Sequence, residues 1–269
     1  MTLGASQRHA SVADLVAARA GRGQHRPLLT CYDEVTGART ELSYATLDNW
    51  AAKTANLLVE EYDVRAGGTV ALDLDGHWAT AALALACWKL GAAVTAHDGA
   101  GADVVCCHET RADRHRTGAV VVVGDGFAAE PLTPVDERDG LLLLGEHVHG
   151  FADDYDGIDV GGHTPALASA VGPVSHAALV ACAGAWHDVL GDGPRVGLAA
   201  PLDHPRAFDL LAGVIAAGGS LVAVRAHAAP SYAARWTSER ATVVAGPADA
   251  VTAVGDVAVV TFDAVDPPG

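Results

Sequence analysis

Lysine is almost missing from this chain of 269 residues: Lys53 and Lys89 are the only two among 17 basic side chains. Against them stand 33 acidic residues, a formal net charge of -16. A surface so charged repels phosphate backbones and anionic lipid headgroups, and no basic cluster interrupts it, so nucleic acid is excluded as a partner. Charged residues are scarce as a class, 19% against 50% hydrophobic, which excludes a disordered chain or a coiled coil. Cysteine occurs five times, at Cys31, Cys87, Cys106, Cys107 and Cys182. That odd, irregularly spaced set argues against a disulfide framework and for a reducing compartment. The first residues lack the apolar core of a signal peptide, and no apolar run approaches the ~18 residues of a membrane span. The expectation is a cytoplasmic protein with no membrane partner.

What the chain does have is alternation between short β-branched runs and amphipathic stretches. Ser11 and Asp14 stand in capping-box spacing at the head of a short helix to Ala20. Strands are expected at 28–33 and 39–42, around a turn at Thr36-Gly37. From Tyr44, apolar residues at Leu47, Ala51, Ala55, Leu58 and Tyr62 follow helical spacing. A strand over 69–74, a turn at Asp75-Gly76 and a helix from His77 to Leu90, closed by Gly91, come next. Strands follow at 92–96, 103–107 and 119–123, the last a valine run of the kind buried on both faces. Residues 136–164 are acidic and read as a solvated connection with one strand at 141–144. The alternation then resumes: helix 175–190, strand 195–199, helix 206–217, strand 220–224, a helix around 231–240, strand 241–245, a short helix and strand 257–262. The fold class is α/β, with parallel-rich sheets covered by helices. The chain divides into a first α/β portion (1–135), the acidic connection (136–164) and a second α/β portion (165–269), together one compact unit.

Several groupings have the residue types of a reactive site. Cys106-Cys107-His108 offers metal-binding side chains, but adjacent strand residues face opposite sides, and buried free cysteine is the better reading. His147 and His149, beside Glu146 and ahead of Asp153 and Asp154, alternate as one strand face does, a pattern for zinc or a hard metal. Thirteen histidines make a chance pair the better account, and no metal site is assigned. Ser175-His176 lacks the glycines of a nucleophile elbow and reads as a helix N-cap. Gly124-Asp125-Gly126 lacks the third glycine of a dinucleotide turn and reads as a plain turn. No residue is assigned a catalytic role.

Five segments nevertheless fall into a familiar order. Leu42-Ser43-Tyr44-Ala45-Thr46-Leu47, Val64 to Leu72, Trp88 to Asp98, Pro201-Leu202-Asp203-His204 and Thr242 to Pro247 follow one another at characteristic separations. They resemble, in order, the L-T-Y-x-E-L, V-x-x-G-D-x-V-A-L, L-K-A-G-A-x-x-x-P-L-D, P-L-F-H and T-V-x-x-G-V-P segments of the adenylate-forming superfamily, which includes acyl-CoA synthetases. The resemblance implies the N-terminal portion of that family's large domain. It also implies an acyl-type small molecule as ligand. His204 matches a position lining the acyl region, followed by Phe208 on the next helix, while Gly246 and Pro247 match a loop bordering the acyl pocket. The plain alternatives stand beside these: Asp203 or His204 as a helix cap before Pro205, and Gly-Pro as a strand-to-helix turn.

The departures from the family bear on activity. Its signature is a Ser/Thr/Gly-rich phosphate loop ending in Pro-Lys-Gly, shortly before a Thr-His pair that opens a helix. Here Ser175-His176 fits the end of that pattern, but residues 166–174 hold one glycine, one serine and no lysine, and are several residues shorter than the loop. Phosphate loops work by wrapping backbone N–H groups and a lysine around the anion. The family's later adenine-binding segment, ribose-binding Asp and catalytic lysine have no counterpart before Gly269. The resemblance therefore implies a ligand-binding or protein-interaction module without autonomous adenylation and without a cofactor, in a homodimer or with a protein partner. The alternative is an acyl-CoA ligase component, using ATP and CoA, completed by another chain.

Overall fold

The capping signals set the helix ends. In the computed structural model, which describes residues 10–19, 25–34, 36–96, 101–157, 159–169, 172–226, 232–251 and 255–269, Ser11 and Asp14 cap α1 (Val12–Arg19) reciprocally. Ser11 Oγ accepts from the Asp14 N–H at 3.1 Å, and the Asp14 carboxylate accepts from the Ser11 N–H at 2.9 Å. The chain then forms the hairpin β1 (Pro27–Asp33) and β2 (Arg39–Ser43), the long α2 (Tyr44–Tyr62), β3 (Thr69–Asp73) and α3 (Ala79–Leu90). Ser43 caps α2 through its hydroxyl, and Gly91, at φ 73°, ends α3 in the left-handed conformation a Cβ disfavours. β4 (Ala93–Ala96), β5 (Val104–His108), β6 (Ala119–Val123), β7 (Leu141–Leu143) and a one-turn α4 (Leu144–His147) follow. The remainder is β8 (Pro165–Ser169), β9 (Gly172–Ser175), α5 (His176–Leu190), β10 (Arg195–Leu198), α6 (Pro205–Ala217), β11 (Ser220–Arg225), α7 (Tyr232–Ser238), β12 (Val243–Gly246) and β13 (Ala258–Thr261).

These strands form two sheets. The first has the order β13-β12-β10-β11-β1-β2, the second β7-β6-β5-β3-β4-β8-β9. Each is parallel except for one antiparallel edge strand, β2 on β1 and β9 on β8. The sheets draw strands from across the chain, since β1 lies parallel to β11 with Leu29 beside Leu221. A single large core joins the inner faces of both sheets to α1, α2, α3, α5 and α6. Sheet, helices and sheet are thus stacked, with smaller clusters on the outer faces: Trp236 and Val244 on the first sheet, Cys107, Val120 and Val122 on the second. Between α5 and α6, Gly213 lies flat on Trp186, where a methyl group would collide with the indole.

Most expected elements are present with ends moved by a residue or two. Cys106 and Cys107 do face opposite sides of β5, one in the central core and one in the outer cluster. Residues 165–169 and 172–175 pair as the antiparallel strands β8 and β9, with Ser169 opposite Gly172, a pairing the sequence reading leaves unassigned. Two readings are corrected. His147 and His149 lie on α4 and a following 3-10 turn rather than on a strand, because the strand at Leu141 ends at Leu143. The acidic connection is not wholly solvated: Val148 and Val160 are buried, and Lys53 on α2 bonds the Phe151 carbonyl at 2.7 Å. Ala20, Val35, the segment 97–98 of the Trp88–Asp98 resemblance, residues 170–171, Ser231 and residues 252–254 of the expected short helix lie outside the described residues.

Candidate functional site

Parallel strands present their carboxyl ends at one edge, the usual place for ligand sites in such folds. Two cavities open there. The first, of about 410 Å³, lies between the ends of β4 and β8 and the start of α6. Thr95, Leu167, Val174, Arg206, Phe208 and Pro267 are among its walls. Pro205 at the first helical position and the His204 ring at the cap set the start of α6; His204 Nδ1 accepts from the Arg206 N–H at 3.1 Å. The His204 ring also packs at a tilt against Phe262, 5.1 Å between centroids, and burial lowers its pKa with Arg206 adding to the effect.

The charges at this cavity are consumed internally. Arg206 pairs with Asp209 at 3.0 Å and donates to the Val265 carbonyl at 2.8 Å. Asp209, 1% exposed, also accepts from Trp186 Nε1 at 3.0 Å and from the Cys182 thiol at 3.4 Å. The remaining wall is largely apolar. Of the four residues the sequence singles out, Phe208 alone lines this cavity. His204 serves as a cap, Gly246 is packed against Ala199 at the end of β12, and the Pro247 carbonyl accepts from the Ala250 N–H at 3.0 Å in the turn that follows.

The second cavity, of about 620 Å³, is bounded by β1, β2 and the end of β11, by α2, by His77 and Trp78 ahead of α3, and by the stretch from Asp125 to Ala128. Its inner end is a cluster the sequence reading missed. Arg225, 2% exposed at the end of β11, bonds Asp33 at 2.8 Å and Asp125, and lies 3.8 Å from Asp75. Burial alone lowers a guanidinium's pKa; here Asp33 and Asp125 outweigh it and hold Arg225 above its ordinary value. His108 Nδ1 accepts from the Thr110 N–H at 3.3 Å, which leaves the proton on Nε2 to donate to Asp125 at 3.0 Å. The signal was present: β1, β3, β5 and β11 each end an apolar run on Asp33, Asp73, His108 or Arg225. What the sequence does not display is that these ends meet.

Among the described residues, His108, Glu109 and Asp125 are the group close enough to hold a metal ion. Glu109, His108 and Asp125 Oδ1 are already engaged, and Asp125 Oδ2 alone makes no bond among the described residues. Glu109 accepts from the backbone N–H groups of Asp125, Leu132 and Thr133 and from the Thr133 hydroxyl, which holds its carboxyl below the ordinary value against the opposing effect of burial. The Arg225 guanidinium fills the cation position, 3.2 Å from His108 Nε2. His147 and His149 diverge: the first bonds the Leu143 carbonyl at 2.9 Å, the second packs its ring on Trp50.

The fold is that of the N-terminal part of acyl-CoA synthetases. A long-chain-fatty-acid CoA ligase from Rhodopseudomonas palustris matches 89% of this chain and 64% of its own at TM-score 0.70 and 18% identity. A long-chain-fatty-acid-CoA ligase from Archaeoglobus fulgidus matches 93% of this chain and 54% of its own at TM-score 0.73 and 15% identity. The N-terminal domain of FACL13 from Mycobacterium tuberculosis matches 94% and 70% at TM-score 0.72 and 17% identity. A Mycobacterium tuberculosis protein described only by a family designation is 43% identical over 104 residues, 39% of this chain and 41% of its own length. The chain thus spans about half to two-thirds of the first two solved ligases, and no family model matches it.

Proposed function

We propose that this chain is a ligand-binding module on an acyl-CoA synthetase scaffold, holding an apolar acyl-type group in the cavity beside Phe208 without adenylating it alone. The observation that carries this reading is the β8–β9 hairpin. Ser169 stands opposite Gly172, and residues 170–171 are all that join the strands. Residues 165–175 contain no lysine and one glycine, so neither a side-chain cation nor a flexible N–H cradle is available to a triphosphate there. The cavity suits an acyl chain instead: its volume falls within the ~300–1,000 Å³ of small-molecule sites, and its Arg206–Asp209 pair leaves no unpaired charge to desolvate.

A thermal-shift panel tests this. Octanoate or an acyl-sulfamoyl-adenosine mimic is expected to raise the Tm, whereas millimolar ATP·Mg leaves it unchanged, because a ligand stabilises only a state it binds. A rise of several degrees with ATP·Mg, or pyrophosphate exchange by the chain alone, overturns the reading in favour of an acyl-CoA ligase component completed by another chain. The same reading has a second copy or a protein partner cover exposed apolar positions such as Val259 on the edge strand β13, 40% exposed. Light scattering is expected to give a mass above that of one chain.

A further inference from the structure

The second cavity is not explained by acyl binding. Its side walls are aromatic: Trp50 and Trp78 meet edge to face at 5.1 Å, and Phe127 stands at the rim 99% exposed. A wholly exposed phenylalanine on a three-residue Gly126-Phe127-Ala128 stretch makes little contribution to folding, and it faces a cavity that already holds two indoles. The inner end adds an observation of a different kind. His77, 3% exposed and part of the lining, uses Nδ1 to accept from the Ala79 N–H at 3.2 Å. Burial, with Arg225 adding to it, lowers the pKa of this histidine to about 4, so the ring is neutral with its proton on Nε2. Among the described residues that N–H has no acceptor within bonding distance; Asp125 Oδ1 is 3.9 Å away and already receives His108 and Arg225. The nitrogen faces the cavity, where an acceptor on a bound molecule can complete it. Beside it, Asp125 Oδ2 makes no hydrogen bond among the described residues, so an acceptor site lies next to the donor.

We propose that this cavity binds an uncharged planar aromatic molecule with a carboxamide-type edge, its carbonyl accepting from His77 Nε2 and its N–H donating to Asp125. The aromatic ring lies among Trp50, Trp78 and Phe127 of the lining. Charge decides against the two charged relatives of such a ligand. A carboxylate meets Asp33, Asp75 and Asp125 gathered around one guanidinium. A cation finds Arg225 already placed between those carboxylates and has no lone pair to accept from His77 Nε2. The neutral donor–acceptor edge satisfies both open groups without a net charge to desolvate.

Benzamide, benzoate and benzylamine, equal in ring and different in charge, are the probes. Saturation-transfer NMR and calorimetric titration are expected to show saturable benzamide binding, with benzoate and benzylamine weaker by about tenfold or more, the scale on which a hydrogen-bonding site rejects a mismatched partner. His77→Phe is expected to weaken benzamide by about tenfold. Should that variant fail to fold, Phe127→Ala at the exposed rim gives the reading instead, with a loss of about two- to fivefold. Octanoate is expected not to displace benzamide, which separates this cavity from the one beside Phe208 and makes its result independent of the acyl reading. The proposal is overturned if benzamide does not bind, if either charged analogue binds as well, if octanoate competes, or if the folded variants bind undiminished.

Discussion

The two cavities lie at the same carboxyl edge of the strands and handle polarity in opposite ways. Beside Phe208 the one buried carboxylate, Asp209, is fully engaged by Arg206, Trp186 and Cys182, all within 30 residues of it. Between the sheets, Arg225 gathers Asp33 and Asp125 across separations of 192 and 100 residues, and His77 is left with a donor unpaired. The difference follows from where the partners come from. α5 and α6 are neighbours in sequence and pack directly, so they can arrange a complete network. Ends of strands from two sheets converge only when the whole fold is in place, and the fit leaves open valences that a ligand can complete.

Substitution of the engaged carboxylate is the most severe way to break this contrast. Asp209→Ala strips acceptors from the Trp186 indole and from Arg206 in a 1% exposed position, and is expected to cost about 3–5 kcal/mol, read as a fall in the urea midpoint. A loss under about 1 kcal/mol would show that water replaces the carboxylate there. Arg225→Met comes next, at about 2–3 kcal/mol. The guanidinium itself is as buried, but its partners Asp33 and Asp125 are 14% and 13% exposed and keep some solvent after the cation is gone. If the Arg225 variant proves the more damaging, the cluster between the sheets is the tighter network and the contrast is reversed.

How far the sequence discloses each region follows from the same separation in the chain. The reciprocal Ser11–Asp14 cap, the Ser175 cap on α5, the Gly91 stop and the valine run of β6 are local events, and local patterns announce them. The five ordered segments carry the scaffold as well, because they record strand-to-loop junctions in chain order. Strand order is another matter: nothing in residues 27–33 says that they will lie beside residues 220–225. The cluster of Asp33, His77, His108, Asp125 and Arg225 is invisible for that reason, each member reading alone as the polar end of a strand or a turn. That Phe208 follows His204 by one helical turn is local, on a helix whose start is marked by proline; that the His204 ring packs on Phe262 depends on a partner far along the chain. The hairpin at 165–175 was missed because its strands are short and proline-containing, and the resemblance directs attention to a loop.

Acid separates two histidines that are both held neutral by burial. His176, 0% exposed, accepts from the Val12 N–H through Nδ1, has a buried Nε2 without a partner among the described residues, and has its pKa lowered to about 4. The unfolded ring takes a proton near pH 6.5 and the folded one resists until about pH 4, so its contribution is intact above pH 6.5 and is lost as the pH falls toward 4. Urea midpoints measured from pH 7 to 4.5 are expected to drop by roughly 2 kcal/mol on this account, and His176→Phe to flatten that slope. Unchanged slope in the variant would assign the acid sensitivity elsewhere. His77 obeys the same sign, but it faces a cavity, so benzamide should steepen its acid loss by binding only the neutral form. The smallest effect is the sharpest test of what the cavity is for. Phe127→Ser removes a side chain that is 99% exposed, and stability is expected to stay within about 0.5 kcal/mol. If Phe127 is part of a binding surface, its cost appears in benzamide affinity and nowhere in the urea curve; a loss of stability instead would mean that the rim is a structural element and that the fold, not a ligand, keeps the ring in place.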